Sequence, residues 1–282
     1  MSDTVETPSG KQARDENFPV GSWLLPASLR PHVAIFYAYA RAIDDIADDP
    51  DLAPAEKISR LDGFADALRD PGGANPAFAR ANAIRDSMAA THVDPQHCLD
   101  LIAAFKQDAV KSRYADWDDL MAYCMLSAAP VGRYLIDLHG ETKDAYAASD
   151  ALCCALQVIN HLQDCQDDYR ALDRVYLPGD WMSEAGITVA SLDGAAASAG
   201  LRRVIDQSLD STETLMAVAE SLIGRLRNTR FALEAAVIVR IANRLTQALR
   251  RRDPLAERVV LRRPQYILCG MGGLWDVVRR SG

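Results

Sequence analysis

The chain reads as an all-α, single-domain protein whose helices surround a central cavity. Three observations lead there. Apolar residues recur at three and four positions through nearly every segment. No run of alternating apolar residues argues for a strand, and two separate segments carry acidic side chains at helical spacing. Of its 282 residues, 49% are hydrophobic, ample for a core, and the 25% charged content is ordinary. A net charge of −8 argues against a nucleic-acid partner, which calls for a basic footprint. No charged, apolar, small-residue leader opens the chain. No apolar run reaches the roughly 18 residues of a membrane span; the best candidate, 235–242, is cut by Arg240. The cysteines (Cys98, Cys124, Cys153, Cys154, Cys165, Cys269) form no CxxC pair and mostly fall in helical patterns. They read as reduced thiols of a cytoplasmic protein.

Residues 1–16 are polar and aperiodic, the composition of a disordered tail; the domain is expected over 17–282. Asn17-Phe18-Pro-Val-Gly-Ser22 is an apolar entry segment, followed by a short helical turn ending at Pro26. Pro31 suits a first helical turn, and Val33, Phe36, Tyr37, Ala40 and Ile43 carry that helix forward until Pro50 stops it. Amphipathic segments follow at 54–68, 77–90 and 95–113. Asp116 with Asp118 and Asp119 marks another helix start, running through Tyr123 to position 138 across Pro130. A single helix is expected over 151–172, then a loop at 177–180 and a small helix at 180–185. The Ala/Gly/Ser-rich stretch 192–200 is a helix start or a loop. Helices over 201–225 and 231–251 and a final apolar stretch near Tyr266 complete the pattern.

The first acidic segment is Arg41-Ala-Ile-Asp44-Asp45-Ile-Ala-Asp48-Asp49-Pro50. Acids at a helix C-terminus oppose its partial negative charge unless something positive neutralises them. Asp44 and Asp48 share one face a turn apart. Such a pair can hold Mg²⁺, which takes oxygen ligands and completes its shell with water and phosphate. A solvated acidic turn is the competing reading. Arg41 either organises these carboxylates and reaches a phosphate oxygen, or forms a local ion pair worth a few tenths of a kcal/mol.

The pattern recurs. Asn160, Asp164 and Asp168 stand at i, i+4 and i+8, a stripe that drifts only about 80° at 3.6 residues per turn. Gln157 lies one turn back on the same side, and Leu152, Leu156, Val158, Ile159 and Leu162 leave little other polar surface. Two such helices facing each other across a cavity would hold several Mg²⁺ ions and a diphosphate. Tyr37 and Tyr123 are either core aromatics with satisfied hydroxyls or rings that stabilise a carbocation. Asp108, Lys111, Arg113 and Tyr114 either meet the diphosphate or form a solvated face. The histidines show no zinc spacing, and His161 points off the stripe by about 100° per residue. Arg250 to Arg252 and Arg262-Arg263 are basic islands, either solvated or in contact with anionic lipid.

With these motifs in hand the chain resembles the squalene/phytoene synthase family over about residues 17–270. Asp44 and Asp48 match its DxxxD motif, and Asn160, Asp164 and Asp168 its NxxxDxxxD motif. Tyr37 and Arg41 match YxxxR, Tyr123 and Gly132 a Y-x(8)-G frame, and Gln157 the Gln three before the Asn. Members that condense two prenyl diphosphates usually carry Arg before the first Asp of the second motif, where this chain has Gln163. Their entry segment usually reads S-F-x-x, here Asn17-Phe18-Pro19-Val20. That entry segment, Asn-His-Leu-Gln-Asp-Cys and the run at 172–178 resemble the bacterial hydroxysqualene synthases of the hopanoid pathway.

The resemblance implies an isoprenoid-synthase helical fold with two facing aspartate-rich helices. It implies three Mg²⁺ ions held by Asp44, Asp48, Asn160, Asp164 and Asp168, with Tyr37, Arg41 and Tyr123 beside them. Asn17, Phe18, Gln157 and Gln163 are implied substrate contacts. The implied reaction ionises presqualene diphosphate and adds water; it ends in hydration and needs no NADPH, in keeping with the lack of a GxGxxG fingerprint. It further implies a functional link to the enzyme that makes presqualene diphosphate, and a cytoplasmic protein peripheral to the inner membrane surface. The rivals are a head-to-head prenyl transferase and a non-catalytic assembly factor, the latter disfavoured by intact motif aspartates.

Overall fold

The computed structural model describes residues 5, 25–70, 72–73 and 75–280. Apart from Val5, whose carbonyl accepts from Arg60 at 3.1 Å, the expected tail lies outside them, as do the candidate contacts Asn17 and Phe18. In chain order the helices are α1 (Arg30–Asp48), α2 (Pro54–Arg69), α3 (Ala79–Thr91), α4 (Gln96–Asp108), α5 (Trp117–Ser127), α6 (Ala129–Leu138), α7 (Tyr146–Gln163), α8 (Cys165–Leu172), α9 (Gly179–Glu184), α10 (Ala199–Ala219), α11 (Leu222–Arg225), α12 (Thr229–Arg251) and α13 (Arg263–Arg280). The all-α expectation holds. One departure is a short parallel pairing of β1 (Arg113–Tyr114) with β2 (Val175–Pro178). A two-residue partner is too short to show an alternating pattern in sequence.

The chain divides into two compact units, Met1–Val110 with Pro130–Lys143, and Lys111–Ala129 with Asp144–Gly282. In the first, α1 to α4 and α6 share a core. Pro31 sits in the first turn of α1, and Val33, Phe36, Tyr39, Ile43 and Ile46 form its buried face. Phe36 stacks on Tyr134 at 3.9 Å between ring centroids. Phe64 meets Phe78 edge-on at 5.4 Å. A Cβ on Gly63 would lie 2.3 Å from the Phe78 ring, so that close approach requires glycine. His97 Nε2 lies 2.9 Å from Asp137 Oδ2 and joins α4 to α6.

In the second unit α7 packs along α10 and α12, and α12 along α13. Side-chain caps set the helix starts: Asp116 accepts from the Asp119 amide at 2.8 Å, Ser198 from that of Leu201, and Asn228 from those of Arg230 and Phe231. Each satisfies donors the helix itself leaves open.

Two expected continuous helices are interrupted. The segment across Pro130 restarts as α6 after Ala128, because proline lacks the amide and crowds the preceding turn. The helix expected over 151–172 begins earlier, at Tyr146, and changes direction at Asp164, whose φ/ψ of −106°/9° leave the helical region. Its amide still donates to Asn160 O at 2.9 Å, and its carbonyl accepts from Asp168 at 2.8 Å. The ladder therefore survives along this side.

Phe64 is fully buried, so Phe64→Ala should cost about 3–5 kcal/mol through lost burial and a residual cavity. The measurement is the urea midpoint at unchanged m; a shift equivalent to less than about 1 kcal/mol would contradict the packing described.

Candidate functional site

The first group of candidates sits on the last two turns of α1. Arg41 reaches Asp44 through Nη1 at 2.8 Å and Asp45 through Nη2 at 2.6 Å. Lys57 donates to the Ala47 carbonyl at 2.8 Å, placing a second positive charge on the helix end. These cations supply the neutralisation that four acids at a C-terminus require. They do not complete it. Asp44 keeps 26% exposure, yet the protein around it desolvates the carboxyl. Burial, then the neighbouring Asp48 charge, push it up to about 7 from 3.8; Asp45 and Asp108 add to the rise and Arg41 opposes it. Tyr37 is half-buried one turn before Arg41.

The second group follows the α7–α8 bend. Gln157, Asn160, Asp164 and Asp168 are all partly exposed, while Val158, Ile159 and Leu162 are buried. The stripe thus turns outward from the core of its unit. His161, read in sequence as pointing elsewhere, lies against it: Nε2 is 3.1 Å from Gln157 Nε2 and Nδ1 is 3.9 Å from Asp168 Oδ2. The Gln157 amide must donate, which assigns Nε2 as acceptor and leaves the proton on Nδ1 towards Asp168. Burial lowers the pKa of His161, Asp168 opposes that, and the buried Arg174 reinforces it. The imidazole stacks on Tyr176 at 3.5 Å and 12°.

Tyr176 belongs to an aromatic wall the sequence did not reveal. Its ring lies 5.5 Å from Tyr114 and 5.7 Å from Tyr123, and Tyr114 lies 5.3 Å from Tyr123. The β1–β2 pairing brings Tyr114 and Tyr176 together from positions 62 apart. The nearest signal in sequence is their position beside short extended runs, which periodicity does not register.

Other candidates are redistributed. Gln163 is buried, and its Nε2 donates to the Val259 carbonyl, so its amide is committed to the C-terminal part of the chain. From sequence it reads as a substrate contact. Its Oε1 has no hydrogen-bond partner among the described residues. Lys111 pairs with Asp119 at 2.5 Å and covers the Tyr114 ring, and Arg113 pairs with Asp173. Asp108 belongs to the other unit and acts on Asp44. Only Lys111 and Tyr114 of this group are in contact among the contacts described.

Among the described residues no three His, Cys, Asp or Glu side chains form a closed metal cage. Mg²⁺ is typically held by one or two carboxylates with substrate phosphates and water completing its shell. Asp44 with Asp48, and Asn160 with Asp164 and Asp168, offer hard oxygen donors of that kind. Burial and the neighbouring Asp48 charge both raise Asp44, and a divalent cation beside it would oppose both.

Four similarities accompany this geometry. The family model described as squalene/phytoene synthase matches residues 11–265. A hydroxysqualene synthase of Rhodopseudomonas palustris is 40% identical over 100% of this chain and 96% of its own, and one of Zymomonas mobilis is 40% identical over 89% and 84%. The crystal structure of the squalene synthase HpnC from Alicyclobacillus acidocaldarius superposes with a TM-score of 0.75 at 31% identity, covering 85% of this chain and 90% of that one.

A folded-state pKa raised above the unfolded value means the folded protein holds the extra proton; stability from this source is therefore lost as pH rises from about 4 to about 7. Asp48→Asn removes the charge that most raises Asp44. In EDTA it should raise Tm at pH 8 by a few degrees, of order 1 kcal/mol, and by less at pH 5. Equal shifts at both pH values would refute the repulsion.

Proposed function

Since the chain belongs to the squalene/phytoene synthase family, we propose that it ionises presqualene diphosphate and adds water to the cation, giving hydroxysqualene and diphosphate in hopanoid biosynthesis. The observation that carries this is the 40% identity to a hydroxysqualene synthase along the full length of both chains. The enzyme is thus a carbon–oxygen lyase acting on a phosphate ester.

The roles of individual residues are part of the proposal. Asp44 and Asp48 on α1, and Asn160, Asp164 and Asp168 on α7 and α8, serve the same diphosphate and would hold magnesium. When bound, the metal supplies Lewis-acid neutralisation of the leaving group. Arg41 bridges the Asp44 and Asp45 carboxylates and adds positive charge on the side where phosphate oxygen would bind. Gln157 orients His161, and His161 in turn steadies Asp168. Tyr123, with Tyr114 and Tyr176, presents ring faces whose quadrupoles favour positive charge, as a rearranging cyclopropylcarbinyl cation requires. Tyr37 contributes a further ring near Arg41, and Asn17 and Phe18 are proposed substrate contacts. A peripheral membrane contact and a link to the enzyme supplying presqualene diphosphate complete the proposal, because substrate and product both partition into lipid.

A second reading is direct condensation of two farnesyl diphosphates, favoured by the solved relative named a squalene synthase. Purified protein with Mg²⁺ and presqualene diphosphate should yield hydroxysqualene, and with farnesyl diphosphate alone no C30 product. The reverse pattern would establish the condensing reading. Asp164→Ala should lower turnover roughly 10³-fold, corresponding to several kcal/mol of lost leaving-group stabilisation, with unchanged circular dichroism.

A further inference from the structure

Helix α13 buries only one side. Cys269, Gly273 and Val277 face α12, and the approach is close: a Cβ on Gly273 would lie 2.8 Å from Val237 Cγ2, and one on Gly272 2.4 Å from the Arg240 guanidinium. Asp276 locks the rotation through a bidentate pair with Arg240 at 2.6 and 2.7 Å. The helix cannot turn its other side inward without breaking both contacts. That other side carries Ile267, Leu268, Met271, Leu274, Trp275 and Val278, each between 51 and 67% exposed. At 100° per residue they cover an arc of about 120°. An apolar face of this kind is unusual on an isolated protein surface.

The charge beside it is predominantly positive. Residues 244–263 contain seven arginines and two acids in a chain of net charge −8. Arg244, Arg251, Arg252 and Arg262 line a cleft of about 650 Å³ with Glu257, and Glu257 is held by Arg252 at 2.7 Å. Arg251, Arg262 and Arg263 form no salt bridge with the described residues. At the far end Arg279 lies over the Trp275 ring at 4.9 Å, an indole–cation pair suited to the headgroup level.

We propose that the exposed side of α13, with the arginines at its start, docks the protein on an anionic lipid bilayer, the helix lying in the plane of the interface. This rests on the proposed function only in naming the surface for its peripheral contact. A neutral protein partner would leave the unpaired arginines unexplained, and a second copy packed along α13 would bring arginines together in either orientation, since Arg262 and Arg263 stand at its start and Arg279 at its end. A bilayer with anionic headgroups meets both the apolar arc and its basic border.

The test uses the full chain and sedimentation with phosphatidylcholine vesicles, with and without phosphatidylglycerol. Binding should require the anionic lipid and weaken with salt. Leu268→Glu/Leu274→Glu, both surface positions, should reduce partitioning at least about tenfold with unchanged Tm, and Arg262→Glu/Arg263→Glu should remove the preference for anionic lipid. Quenching by brominated acyl chains should appear in wild type and disappear in Trp275→Phe, which reads the contact even if the charged variants aggregate. No sedimentation, sedimentation unaffected by the α13 variants, or a wild-type dimer that the leucine variant converts to monomer would each overturn the proposal. Turnover in detergent should be the same in all variants. If hydroxysqualene never forms while vesicle binding persists, the functional reading fails and the docking surface stands.

Discussion

Mutual repulsion among carboxylates is the constraint around which the α1 end of the molecule is arranged. Four acids close a helix whose carbonyls already carry partial negative charge. Arg41 and Lys57 compensate part of it, while burial and then the neighbouring Asp48 charge push the Asp44 carboxyl up to about 7. A protein selected for stability alone would replace one of these acids with an amide. Retaining all four is reasonable where a cation and an anionic substrate arrive together, since their charge is then available for binding.

The second acidic group solves the same problem differently. Its carboxylates lie along one side of a bent helix, a turn apart, where each has partial access to solvent. The bend at Asp164 keeps the backbone hydrogen bonds on the stripe side while the helix changes direction. His161 enters from this geometry as a neutral group, its proton directed at Asp168. The aromatic wall of Tyr114, Tyr123 and Tyr176 belongs to the same unit, and its centre, Tyr176, is stacked on that imidazole. The polar stripe and the ring stack are therefore joined through one histidine.

The features legible in sequence were those with helical period. Asp44 with Asp48, and Asn160 with Asp164 and Asp168, could be placed on common faces because 3.6 residues per turn fixes the relation. The buried positions of α1 followed from the same rule. What escaped was non-local or local in backbone angle. The β1–β2 pairing depends on contact between residues 62 apart, and with it the joining of Tyr114 to Tyr176. The bend at Asp164 has no proline or glycine to announce it. Gln163 was read from its neighbours in the motif, whereas its burial is decided by Val259, 96 positions later. The apolar side of α13 was indistinguishable from a core-facing one, since hydrophobic periodicity records an amphipathic helix and not which side is covered.

That last ambiguity bears on how a protein of net charge −8 approaches a negatively charged surface. Net charge governs interaction only at distances comparable with the Debye length, about 8 Å at physiological ionic strength. Closer in, the nearest groups decide, and at the start of α13 these are Arg251, Arg262 and Arg263. The acids of Asp44, Asp48, Asp164 and Asp168 are committed to the two stripes, and Asp276 and Glu257 are each held by an arginine. Segregation of charge, with acid at the candidate site and base at one helix end, would let the same chain hold the proposed cation-bridged diphosphate and tolerate an anionic bilayer. The apolar arc then supplies attraction that salt does not screen.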